Sequence, residues 1–184
     1  MVGHSYGGFV ITNAATGNPN IKALVYVDAF IPDQGETLAQ LTSAQLGSCL
    51  AGNPADIFNL VPYPGAPAGD VDTYIEQSLV PSCFASGLPV AQAAVIAATQ
   101  RSLAASMLGE ASGPPAWKNI PSWDLIGTAD RVLPPAEQNI HGQARRCPHH
   151  QGERRAPVHD RRPRWSRRSS SKRPKPPGEE GNRS

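Results

Sequence analysis

The chain has 184 residues, 17 Lys and Arg against 15 Asp and Glu, and a formal charge of +2, an average that points to no polyanionic partner. No apolar run reaches the roughly 18 residues needed to span a bilayer and no basic-then-apolar leader opens the chain, so the reading is of a cytosolic protein with neither anchor nor signal peptide. Three cysteines are too few for a disulfide scaffold and lack the paired spacing of a structural zinc site, so Cys49 and Cys83 are expected as free thiols in preference to a bridge.

The average charge hides a division. Through Ile140 there are 4 basic and 11 acidic residues; beyond it there are 13 and 4. After Ile140 there is no Leu, Ile, Phe or Met and a single Val, Val158, so no core is expected there. Residues 141–184 are therefore read as an Arg/Pro-rich disordered tail, and residues 1–140 as the domain. The tail from Arg161 to Lys175 suits nonspecific attraction to nucleic acid or an acidic surface. With Trp165 as its lone aromatic, a solvated tail is the favoured reading over a nucleic-acid partner. Cys147, His149 and His150 imitate a metal cluster only by composition, and no metal or cofactor is expected.

In chain order, Met1-Val2 leads into Gly3-His4-Ser5-Tyr6-Gly7 and then a small-residue apolar stretch that predicts a helix through Ala15, stopped by Gly17 and Asn18-Pro19. The run Ala23-Leu24-Val25-Tyr26-Val27 predicts a strand buried on both faces, ended by Asp28. Residues 32–118 change character, with short amphipathic pieces between prolines and a longest helix predicted from Pro89 to about Leu108; they read as a helical cap inserted between strands. Pro121 to Gly127 predicts a further strand, Thr128 to Pro135 a loop, and Ala136 to Ile140 the start of another helix. Strand, turn, helix, strand is the rhythm of an α/β fold with a parallel sheet.

The Gly-x-Ser-x-Gly text carries the candidate chemistry. A serine on a sharp strand-to-helix turn exposes its hydroxyl as a nucleophile, and flanking glycines are needed where a side chain would collide with backbone. The following helix aims its dipole at the site, and the amide of the next residue, Tyr6, is placed to donate to an oxyanion. Such a text arises by chance in roughly one chain in twenty of this size, so the context has to carry it. That context is the helix and buried strand behind it, and Gly127 to Asp130 after the later strand, where an acid is placed to orient a histidine.

With Val2 to Gly8, Val25 to Pro32 and Ile126 to Pro135, the chain resembles the α/β-hydrolase family, and within it the capped esterase-like members related to plant methylesterases and hydroxynitrile lyases. Over residues 1–140 the resemblance implies Ser5 as nucleophile, Asp130 as triad acid, the Tyr6 amide as half of an oxyanion hole, and a small ester as substrate. Asp28 is the rival acid, for which a turn or capping role is favoured, and His4 is read as structural. Lyase chemistry on the same scaffold stays open, as does the oligomeric state.

Two features depart from the family pattern. Met1 stands only four residues before Ser5, so the strands and the second oxyanion donor that precede the elbow in the family are expected to be missing. His141, His149, His150 and His159 all lack the His-Leu-Ser-like setting of the family's base. Moving the reading frame one base forward over Arg155 to Pro163 permits Ala-His-Leu-Ser-Met-Ile-Ala-Asp-Pro. A frame change near residues 141–145, with loss of the base histidine and a crippled site, is the resulting expectation.

Overall fold

A computed structural model describes residues 1–43, 47–67, 69–136 and 138, and the backbone of 149–152. A four-stranded parallel sheet is built from β1 (Val2–Ser5), β2 (Leu24–Ala29), β6 (Ser122–Gly127) and β7 (His149–Gly152), in the order β1-β2-β6-β7. Helix α1 (Gly7–Ala14) follows β1 directly. The chain then turns through Gly17, whose positive φ of 74° replaces helix with a left-handed residue.

Alternation along the strands divides the sheet into two faces. Leu24 and Tyr26 of β2 point to the face on which α1 packs, where Ile11, Ala15, Ala29, Ile31 and Ala116 complete a buried cluster. A buried hydrogen bond of 2.8 Å between the Thr12 and Tyr26 hydroxyls satisfies both in that layer. On β6, Ser122, Asp124 and Ile126 are buried while Trp123 and Leu125 are exposed.

Strand β2 does not end at Asp28 as the sequence predicts. His4 pairs with Val27 and Ser5 with Ala29, so Asp28 is the extra residue of a bulge, buried and held at φ 43°. The bulge carries the pairing past Asp28 and lets the Phe30 amide donate to the Ser5 carbonyl.

The cap is more than helical. Between α2 (Leu38–Ser43), α3 (Pro54–Ile57) and α4 (Val90–Thr99) lies an antiparallel sheet of β3 (Phe58–Val61), β4 (Asp72–Ile75) and β5 (Leu103–Ala104). Thr37 and Gln40 begin α2 with a reciprocal capping pair, and Asn53 caps α3 ahead of Pro54. Thr37 bridges to Ala111, and the Gly35 and Ser112 amides donate to the Ser112 and Glu36 carbonyls, so both ends of the cap meet beside α1.

Three expectations are corrected. The helix predicted to Leu108 stops at Thr99: Gln100 leaves helical geometry at ψ 147° and its side chain bonds both the amide and the carbonyl of Ile75 at 2.9 Å. Cys49 and Cys83 are bridged, with Cα atoms 5.7 Å apart across a separation of 34 residues. In the loop-entropy picture such a bond stabilises the fold by about 3 to 4 kcal/mol. Finally, residues 149–152 pair in parallel with Asp124 to Gly127, so the sheet continues into the stretch assigned to a disordered tail. The helix expected from Ala136 lies largely outside the described residues, as does the remainder of the tail. Among the described residues no helix is long and apolar enough to cross a membrane.

Candidate active site

Ser5 closes β1 and Tyr6 forms the N-cap of α1, so the turn between strand and helix has no spare residue. Ser5 adopts φ 53°, a left-handed conformation that a residue with a side chain seldom occupies and that the surrounding structure must impose. Two glycines leave room for the close backbone approaches around it. A Cβ on Gly3 would stand 2.5 Å from the Gly7 carbonyl oxygen, and one on Gly8 would stand 1.9 Å from that of Phe30. The motif alone assigns the crowded positions to Gly3 and Gly7, but a Cβ on Gly7 meets nothing within 4 Å. The second close approach belongs to Gly8, where α1 crosses the strand end at Ala29 and Phe30.

Tyr6 packs over the helix, its ring stacked on Phe9 at 5.6 Å, and Phe9 meets Phe30 edge-on at 6.3 Å. Burial, with the Glu110 charge adding to it, pushes the Tyr6 phenol above its usual range. Val132 and Leu133 join the same apolar cluster. The turn that carries Ser5 and the loop that carries Asp130 are thus brought together at the carboxyl ends of the parallel strands, where α/β sheets place their ligands.

Asp130 is buried in the loop after β6. Its Oδ1 accepts the amides of Val132 at 2.8 Å and Leu133 at 3.1 Å, the geometry of a turn-capping aspartate. Burial pushes its carboxyl up to about 6, against the pull of those two amides and with the Asp28 charge adding to the rise. Asp28, the rival acid, has a different attachment: its Oδ1 accepts the Gly127 amide, tying the bulge of β2 to the end of β6. Burial raises the Asp28 carboxyl, and Gly127, the nearby His4 charge and Gln138 hold it back.

A third acid was missed by the sequence reading. Asp124 lies within β6, opposite Tyr26 on one side and His149 on the other, and both carboxylate oxygens are buried with no hydrogen-bond partner among the described residues. Burial pushes it up to about 7, with Asp28 contributing. The sequence held no signal for it: alternation in Ser122-Trp123-Asp124-Leu125 turns Trp123 and Leu125 inward, whereas the structure exposes both and buries Asp124. Among the described residues no group of three His, Cys, Asp or Glu is arranged to hold a metal. Cys147, the side chains of His149 and His150, and His141 and His159 lie outside what is described.

Residues 1–168 match the profile of the alpha/beta hydrolase family. The chain belongs to that family. Over 42 residues it is 55% identical to a carbendazim hydrolyzing esterase from Nocardioides sp. (strain SG-4G), a match covering 22% of this chain and 17% of that protein. Among solved structures it is similar to polyneuridine aldehyde esterase, with a TM-score of 0.63 and 15% identity over 82% of this chain and 61% of that one. A methylesterase from Arabidopsis gives 0.61 and 15% over 83% and 58%. An extracellular alpha/beta-hydrolase from a Paenibacillus species gives 0.59 and 22% over 84% and 62%. The chain thus spans about three fifths of the length of these solved relatives.

Proposed function

We propose that the chain carries the elbow and acid of an esterase-like serine hydrolase acting on a small ester. Ser5 Oγ is the nucleophile, the Tyr6 amide donates to the developing oxyanion, and Asp130 is the acid that orients a base. The observation that carries this reading is the left-handed Ser5 between a parallel strand and a helix, packed so closely that Gly3 and Gly8 have no room for a Cβ. Backbone strain concentrates where a fold must aim a reacting atom, and an ordinary turn serine needs none of it. The esterase named among the relatives supports the reaction class.

A nucleophile without its base loses most of its rate, because triad members act as a unit. Since the histidines after Asp130 lack the family's setting, the 184-residue chain is proposed to be weakly active at most. A fluorophosphonate probe tests both statements. Slow labelling that disappears in Ser5→Ala is expected; labelling elsewhere, or none after long exposure, counts against Ser5, and rapid stoichiometric labelling of Ser5 counts against the crippled site.

A further inference from the structure

Three hydrogen bonds reach the Asp130 loop from two distant segments of the cap. Ser48 Oγ donates to the Val132 carbonyl at 2.7 Å, the Cys49 amide donates to the Arg131 carbonyl at 2.8 Å, and Arg131 Nη1 donates to the Ser82 carbonyl at 2.6 Å. Cys49 is bonded to Cys83, the neighbour of Ser82. The disulfide therefore closes a ring through the segment at 48–49, the segment at 82–83, the Arg131 guanidinium and the Arg131 carbonyl. Arg131 directly follows Asp130, whose carboxylate takes the amides of Val132 and Leu133. Whatever fixes Arg131 and Val132 fixes the direction of that carboxylate.

We propose that the Cys49–Cys83 disulfide and Arg131 form a clasp by which the cap positions Asp130, and that a dithiol reductant opens it. Cys83 is only 2% exposed, whereas Cys49 is half-buried, so the reagent's thiolate attacks the Cys49 sulfur. That step forms a mixed disulfide with Cys49 and expels the Cys83 thiolate. The reagent's second thiol then displaces Cys49, leaving two protein thiols and the oxidised cyclic reagent, so that two electrons and two protons pass to the protein. Leu133 keeps its place beside Phe9, Phe30, Leu38 and Leu41, so opening the clasp loosens the loop without detaching it.

The catalytic meaning of the clasp rests on Asp130 as the triad acid; its existence does not. Hydrogen exchange on the full chain, oxidised and then treated with dithiothreitol, separates the two. Exchange at the Cys49, Val132 and Leu133 amides is expected to accelerate about tenfold or more on reduction, with Val25 and Tyr26 of β2 unchanged. A Cys49→Ser, Cys83→Ser double variant reproduces the loosened loop and no longer responds to the reagent. Arg131→Gln loosens the same amides in the oxidised chain, and Arg131→Lys restores part of the protection. The carbon resonance of the Asp130 carboxyl supplies a signature specific to position: its titration moves down toward the ordinary carboxylate range as the loop hydrates. Loop amides that ignore reduction overturn the clasp. So does a loss of protection in β2 parallel to that in the loop, which would make the bond a support of the whole fold. Failure of Ser5 labelling leaves the clasp standing, and an unresponsive loop leaves the Ser5 reading standing.

Discussion

In the parallel sheet, β2 is hydrogen-bonded to β1 on one side and β6 on the other, and its inward residues Leu24 and Tyr26 are completely buried beneath α1. The cap sheet ends in β5, only two residues long, and leans on polar side chains. Thr73 Oγ1 donates to the Leu103 carbonyl, Asp70 accepts both the amide and the hydroxyl of Ser106, and Gln100 bonds both backbone groups of Ile75. The first region is specified by volume and by the absence of side chains at crossing points; the second is specified atom by atom. A group added should break the sheet, and a group removed should break the cap.

The largest effect is expected at Gly8. Its missing Cβ would lie 1.9 Å from the Phe30 carbonyl oxygen, which is backbone, in a residue anchored by the bond from its own amide to the Ser5 carbonyl. Gly8→Ala should cost more than about 3 kcal/mol, because overpacked sites must move backbone to relieve the clash. Gly7→Ala is the control: with open space around it in the first turn of a helix, it should stabilise by up to about 1 kcal/mol. Urea midpoints of the two variants check the contrast, and a Gly8→Ala midpoint equal to the parent's would mean that α1 sits differently on the strand.

The next effect depends on pH. Asp124 is raised to about 7 and Asp130 to about 6, so between pH 4 and 7 the folded chain holds protons that the unfolded chain releases. The contribution of these two groups to stability is therefore fully present below the ordinary carboxylate range and is lost as pH rises through the two folded values. Asp124→Asn should shrink the loss between pH 4.5 and pH 8 by roughly 2 to 4 kcal/mol, since a tenfold difference in proton affinity between folded and unfolded chain corresponds to about 1.4 kcal/mol. Urea titrations at the two pH values measure it; an unchanged difference would mean that the Asp124 carboxyl is hydrated or paired when folded.

The same division governs what the sequence disclosed. Strand β2 was legible as a continuous apolar run, and β1, α1 and β6 from the glycine and proline residues that mark their boundaries. The candidate residues Ser5, Tyr6 and Asp130 came from text that sits at those boundaries. The bulge at Asp28 was hidden, since an aspartate after an apolar run reads as the end of the strand, and so was the exchange of roles between Gly7 and Gly8, which depends on where Phe30 passes. Strand β7 carries no apolar residue, so neither its periodicity nor its composition distinguished it from the basic tail. In the cap, short elements joined by single polar contacts leave no period to read, and the disulfide joins segments that no local pattern connects.

Gln100 shows that limit at one residue and supplies the smallest of the effects. From Val90 onward the sequence is helical in character beyond Thr99, and nothing in Arg101 or Ser102 forbids a further turn. The helix ends because the Gln100 side chain accepts from the Ile75 amide and donates to its carbonyl, acting toward β4 as a neighbouring strand residue would, while also donating to the Ala97 carbonyl. Gln100→Ala should cost about 1 to 3 kcal/mol, as the part-buried amide and carbonyl of Ile75 both lose this partner. Exchange at the Ile75 amide should accelerate while Tyr26 in β2 keeps its protection, because the two sheets share no hydrogen-bonded strand. Gln100→Glu retains the acceptor but sets a carboxylate against the Ile75 carbonyl, so it should not recover the loss. If Gln100→Ala instead leaves Ile75 protected, the strand pairing of β4 with β3 and β5 holds that backbone alone, and the end of α4 must be set by the pairing of Leu103 with Thr73.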